Sequence, residues 1–189
     1  MRTQRPFALV LTVALAAITP LANANPDALQ DERRIEVGFS PEGSAQALIL
    51  STLKAATSSI RLSAYVFTNP EVTSALIAAK QRGVDVAVVA DHRSNFEDRR
   101  GEAGRHALSL LAKSGIPTRT VDAYTIHHDK FFVVDGVAVE TGSFNFTAAA
   151  ARKNSENALV VWNDPDLAQR YLNHWKSRWD QGRAVQSNY

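Results

Sequence analysis

The chain has 189 residues, 21 of them Lys or Arg against 19 Asp or Glu, and no cysteine, so disulfides and thiolate metal centres are excluded. Arg2 and Arg5, near the N-terminus, account for the whole basic excess. The rest is formally neutral, and attraction to a polyanion has to come from local arrangement of charge rather than from the net value.

Residues 1–24 combine Arg2 and Arg5, an apolar run from Phe7 to Ile18 and the small-x-small site Ala22-Asn23-Ala24. This predicts a secretory signal peptide, a mature domain over 25–189 and a periplasmic or secreted location. The apolar run is short for a membrane span and no later stretch is longer, so no stable membrane association is expected. From Arg33 the pattern alternates strand and helix. Ile35, Val37 and Phe39 alternate as a strand, and Ser44 is placed to cap a helix carrying Ala47, Leu48, Ile49 and Leu50. Ile60 to Phe67 reads as a strand, Asn69-Pro70-Glu71 opens a helix through about Arg82, and Val84 to Ala90 is too apolar for an exposed sheet. Repeated units of this kind predict an α/β fold, a mixed and largely buried central sheet flanked by helices on both faces, in a single domain.

The most polar stretch, Asp91 to Arg105, follows the C-terminal end of the third strand, where open sheets place ligands. Arg93, Arg99, Arg100 and Arg105 are candidate phosphate contacts, with Glu97, Asp98 and Glu102 interleaved. A helix from about Glu102 to Lys113 and a strand from Ile116 to Val121 follow. Ser155 to Trp162 reads as another buried strand. Asp164-Pro165-Asp166 opens a last helix, in which Leu167, Tyr171, Trp175 and Trp179 form a core-facing stripe.

Between these elements lies HHDKFFVVDGVAVETGSFNF, His127 to Phe146. Asp135-Gly136 separates two β-rich runs and suits a two-residue type I′ turn. In the register of such a turn Lys130 faces Thr141 and His128 faces Ser143. His128, Lys130, Ser143 and Asn145 then project to one side, with His127, Asp129 and Asp135 on the other. An imidazole, an ammonium, a hydroxyl and an amide suit a phosphoryl group, the neutral and cationic donors holding its oxygens while the imidazole attacks or shuttles protons. His127, His128 and Asp129 also look like a metal-ligand cluster. Adjacent strand residues point oppositely, however, so no metal and no cofactor are expected.

His128-x-Lys130, Asp135 and Gly142-Ser143-x-Asn145, at these spacings, resemble the HKD signature of the phospholipase D superfamily. Val37–Ala45, Lys80–Val89, Lys153–Asn163 and His174–Arg183 resemble the small, secreted, single-motif bacterial endonucleases of that superfamily, whereas Asp91–Arg105 is longer than its counterpart there. The resemblance implies metal-independent hydrolysis of phosphodiesters in DNA, with RNA as a second candidate, through a phosphohistidine on His128. It implies that Lys130 and Asn145 bind non-bridging oxygens and that Glu156 accepts a hydrogen bond from the far nitrogen of the imidazole; the expected register places Ser143 close enough to assist. From its turn position Asp135 is assigned a structural role.

The family reaction uses two HKD histidines and this chain has one such motif. The expectation is therefore a homodimer in which two copies of His128 meet in a shared site. His92 at a strand end is the best substitute within one chain. His106 and His174 lie on predicted helices, and His127 faces away. A phospholipase acting on lipid headgroups is the main competing reading, since the phosphodiester chemistry is the same. A non-catalytic nucleic-acid clamp is the other.

Overall fold

A computed structural model describes residues 32–98 and 101–186. The expected signal peptide, Arg99 and Arg100 lie outside the described residues. In chain order the elements are β1 (Arg34–Ser40), α1 (Ser44–Ala55), β2 (Ser59–Ala64), α2 (Pro70–Gln81), β3 (Asp85–Asp91), α3 (His92–Phe96), α4 (Gly101–Lys113) and β4 (Thr118–Val121). They continue with β5 (Lys130–Val134), β6 (Ala138–Gly142), α5 (Ala148–Arg152), β7 (Glu156–Trp162), α6 (Pro165–Gln181) and β8 (Arg183–Ala184). The strands form one eight-stranded sheet in the order β1-β7-β6-β5-β2-β3-β4-β8. β2, β3 and β4 run parallel to one another and the other pairings are antiparallel.

Alternation along the strands divides the core between the two faces. One face carries Ile60, Leu62, Val86, Val88, Phe132 and Val134, buried with Ile49 and Leu53 of α1, Leu76 of α2 and Leu108 and Leu111 of α4. The other carries Ala87, Val89, Phe131, Val133 and Val139 and is covered by Ala168, Tyr171, Trp175 and Trp179 of α6. The aromatic stripe of the last helix is thus core. Trp175 also donates its indole N–H to the Leu62 carbonyl at 2.9 Å, which fixes α6 to the strand beneath it. Helix starts follow the local chemistry: the Asn69 side chain accepts from the amides of Glu71 and Val72, and Asp164 accepts from Leu167, each ahead of a proline at the first helical position. Ser44 is an exception to its expected capping role. It lies inside α1, and its hydroxyl bonds back to the Phe39 amide and carbonyl.

The hairpin register differs from the expected one. The turn has the anticipated conformation, with φ of 54° at Asp135, 69° at Gly136 and a Val137 amide to Val134 carbonyl bond of 3.1 Å. Val137, however, is an extra residue on the second strand. Its carbonyl accepts from the Asp164 amide, and pairing resumes as Val134 with Ala138, Val133 with Val139 and Phe131 with Thr141. Burial selects this register: Val139 joins Val133 under α6 and Ala138 joins Val134 in the main core, while Val137 is left 39% exposed. Lys130 therefore does not face Thr141, and one flat strand face does not carry His128, Lys130, Ser143 and Asn145 together.

Candidate active site

His128 and Lys130 stand at the open end of the hairpin and line a cleft with Phe131, Tyr171 and His174. The residues that alternate with them hold the backbone. The His127 amide donates to Asp91 at 2.8 Å and its ring nitrogen bonds Ser63 at 2.9 Å, while Asp129 accepts from Ser63 at 3.3 Å and from His174 at 2.8 Å. Burial pushes the His127 imidazole below its ordinary value, so it stays neutral at neutral pH. These anchors leave His128 exposed, its ring packed 4.5 Å from that of Tyr65 and its nitrogens without a hydrogen bond among the described residues.

The Lys130 ammonium donates to the His128 carbonyl at 2.9 Å and lies 5.2 Å from the Tyr65 ring centroid. Burial lowers its pKa, while the nearby carboxylates of Asp129 and Glu156 act in the opposite sense. An ammonium that is partly desolvated and lightly paired is suited to a phosphate oxygen.

The second strand reaches the site through a close backbone approach. A Cβ on Gly142 would lie 2.2 Å from the Asn157 carbonyl oxygen of β7, so no side chain fits there. Beyond Gly142 the chain leaves the ladder. Ser143 donates to Glu156 at 2.6 Å and accepts from the Asn157 amide at 3.1 Å, and Glu156 also accepts from Asn154 at 2.9 Å. Phe144 and Phe146 are buried in the main core and fix Asn145 between them. The amide oxygen of Asn145 is buried without a partner among the described residues, an unmet polar atom of the kind functional sites carry. The kink after Gly142, rather than strand alternation, is what brings Ser143 to Glu156 near Lys130. The carboxylate of Glu156 bonds Ser143 and Asn154, not the His128 ring.

Asp135 lies at the other end of the hairpin. Its carboxylate accepts from the amides of Thr57, Ser58 and Ser59 and from the hydroxyls of Thr57 and Ser58, all at 2.7–2.9 Å. Those bonds hold its pKa down at about 2 against the opposing effect of burial.

Of the other candidates, His92 is engaged with Thr120 at 3.0 Å, stacks on Phe96 and lies 3.5 Å from Glu97. Arg93 faces Glu97, and Arg105 donates to the Phe96 carbonyl. His174, set aside in the sequence because it lies on a helix, lines a cleft of about 430 Å³ together with His128, Asp129, Lys130 and Arg170. Its contact with Phe131, ring centroids 5.9 Å apart, was not readable without the packing of α6. Among the described residues no group of three or more His, Asp or Glu side chains is placed to hold a metal ion, and no helix is long and apolar enough to cross a membrane.

Residues 49–179 match the family described as cardiolipin synthase, PLD-like domain. The crystal structure of Nuc from Salmonella typhimurium, described as a phospholipase D family member, is 54% identical with a TM-score of 0.79, covering 82% of this chain and all of that one. A protein named phospholipase D from Rickettsia bellii is 35% identical over 77% of this chain and 69% of its own length. The human mitochondrial cardiolipin hydrolase is 33% identical over 75% of this chain and 54% of its own length.

Proposed function

The chain belongs to the phospholipase D superfamily and is a phosphodiester hydrolase, and from that premise we propose that it is an exported endonuclease, periplasmic or secreted, cleaving DNA or RNA without a metal. The observation that carries the nuclease reading is the likeness to Nuc at 54% identity, over 82% of this chain and all of that one.

In the proposed reaction a neutral His128 attacks phosphorus. A P–N bond forms as the bond to the leaving oxygen breaks, and that oxygen takes a proton from His128 of a second copy. The second imidazole then removes a proton from water, which attacks phosphorus and releases His128. Lys130 and Asn145 hold the non-bridging oxygens as charge develops there, with Ser143 assisting. Glu156, held on Ser143 and Asn154 and close enough to act on the Lys130 ammonium, adds negative charge beside the site. The two equivalent imidazoles thus take different parts, one as nucleophile and the other as acid and then base, and turnover needs both.

The names phospholipase D and cardiolipin hydrolase among the relatives favour a second reading, hydrolysis of phospholipid headgroups. One experiment separates the two: turnover of single-stranded DNA, duplex DNA and RNA beside headgroup release from phospholipid vesicles, each with and without chelator. Nuclease turnover that survives chelation is expected. Headgroup release alone overturns the nuclease reading, and chelator loss restored by a divalent ion overturns the metal-free one. For the shared site, wild-type and His128→Asn chains exchanged in equal amounts leave about a quarter of dimers with both imidazoles, whereas independent sites leave about half the activity.

A further inference from the structure

The cleft beside His128 has a wall that the reaction described above does not use. α6 places Arg170 and His174 one turn apart, so both stand on one side of the helix. Tyr171 packs edge-on against Phe131 with ring centroids 4.9 Å apart, which sets the height of that wall above β5. The cleft is continuous from Arg170 to Lys130 and His128.

The guanidinium of Arg170 is the exception among the described arginines. Arg33, Arg34, Arg61, Arg93, Arg152 and Arg183 face carboxylates. Arg82, Arg105, Arg119 and Arg178 are held by carbonyls, a hydroxyl or aromatic rings. Arg170 is exposed and has no such partner among the described residues. The one acid in the cleft, Asp129, is already bonded by His174 and Ser63, so it is not left to neutralise Arg170. An unpaired guanidinium in a cleft leading to the phosphate-handling groups presents a planar fork of donors that matches phosphate oxygens.

We propose that Arg170 and His174 form a subsite for a second phosphate, the one next to the scissile phosphodiester along a nucleic-acid strand. The proposal rests on the nuclease reading and deepens it. A polynucleotide supplies phosphates at regular intervals, and a cation beyond the reacting centre holds the strand in line with His128. Such a contact positions the substrate and carries no base specificity.

The test compares the full chain with Arg170→Ala and Arg170→Lys on two substrates. One is a short single-stranded DNA oligonucleotide. The other is bis(p-nitrophenyl) phosphate, which has one phosphodiester and no neighbouring phosphate. For Arg170→Ala the expected result is about a tenfold higher KM on the oligonucleotide with kcat little changed, and unaltered hydrolysis of the small diester. The slope of log kcat/KM against log salt should fall by about 0.7, the value for losing one phosphate contact on a single strand, and Arg170→Lys should restore part of it. Equal losses on both substrates, or oligonucleotide kinetics unchanged by Arg170→Ala, overturn the subsite while leaving the nuclease reading intact. Wild-type protein that hydrolyses the small diester but no nucleic acid overturns the nuclease reading and the subsite with it. Headgroup release from cardiolipin vesicles is followed in parallel, and a loss confined to those vesicles assigns Arg170 to the second phosphate of a lipid and also overturns the proposal.

Discussion

The two ends of one hairpin are built to opposite plans. At the turn, the Asp135 carboxylate accepts five hydrogen bonds from Thr57, Ser58 and Ser59. At the open end, His128 has no side-chain hydrogen bond among the described residues, Lys130 bonds one carbonyl, and the Asn145 amide oxygen has no partner. Satisfied polar groups stabilise a fold, whereas an imidazole and an ammonium left lightly bonded at a cleft remain available to a ligand. The difference separates letters of one motif: Asp135 holds the strands, and His128 and Lys130 are left free for the phosphate role proposed for them.

The sharpest break in this comparison is expected from His128→Asn. Turnover should fall by at least about a thousandfold, because an amide cannot form the phosphohistidine. Its melting temperature should stay close to wild type, since the side chain is exposed. Single-turnover kinetics and a thermal melt check both; retention of a tenth of the rate places the nucleophile elsewhere.

Asp135→Asn should show the reverse pattern. Losing the charge and half of the acceptor capacity costs about 2 kcal/mol, which lowers the melting temperature by about 4–8 °C and leaves the rate per folded molecule nearly unchanged. The pH dependence has a definite sign. The folded pKa of about 2 lies below the unfolded value, so this stabilisation is present above about pH 4 and is lost as pH falls towards 2. The gap between the melting temperatures of the two proteins should therefore narrow as pH falls from 7 to 3 without closing, since the folded pKa lies lower still.

The smallest expected effect concerns a third carboxyl, on the second strand. Glu140 is 1% exposed, its Oε2 has no hydrogen-bond partner among the described residues, and burial raises its pKa well above the ordinary value. The folded state keeps that proton when the unfolded chain has released it, so stability declines as pH rises above about 4. Glu140→Gln should raise the melting temperature by roughly 2–4 °C at pH 8 and by nothing at pH 4. An equal change at both pH values would mean that packing, not ionisation, is responsible.

The order of strands and helices was legible because local signals agreed with the final packing: Asn69-Pro70 and Asp164-Pro165 start helices, and strand alternation tracks burial. The hairpin register was not legible, because the turn at Asp135-Gly136 satisfies its local preference in either register. The outcome was decided by where Val139 and Ala138 find a core and by the bond from Asp164 to Val137. The short helices α3 and α5, one turn or so each, carry too little periodicity to stand out, and β8 is two residues long. At the site, His128, Lys130 and Glu156 could be named from spacing and resemblance, whereas the close approach of Gly142 to Asn157 and the arrival of Arg170 and His174 at the cleft depend on strands and a helix distant in sequence.

The docking of α6 also gives the protein an intrinsic optical reporter. Two of its three tryptophans, Trp175 and Trp179, stack with centroids 4.8 Å apart on the inner side of the helix that bears Arg170 and His174 outward to the cleft. Loosening that helix would hydrate the Trp175 indole, which is 6% exposed and bonded to Leu62, and shift its emission to longer wavelength. The colour of the emitted light thus follows the attachment of one wall of the cleft, without any label.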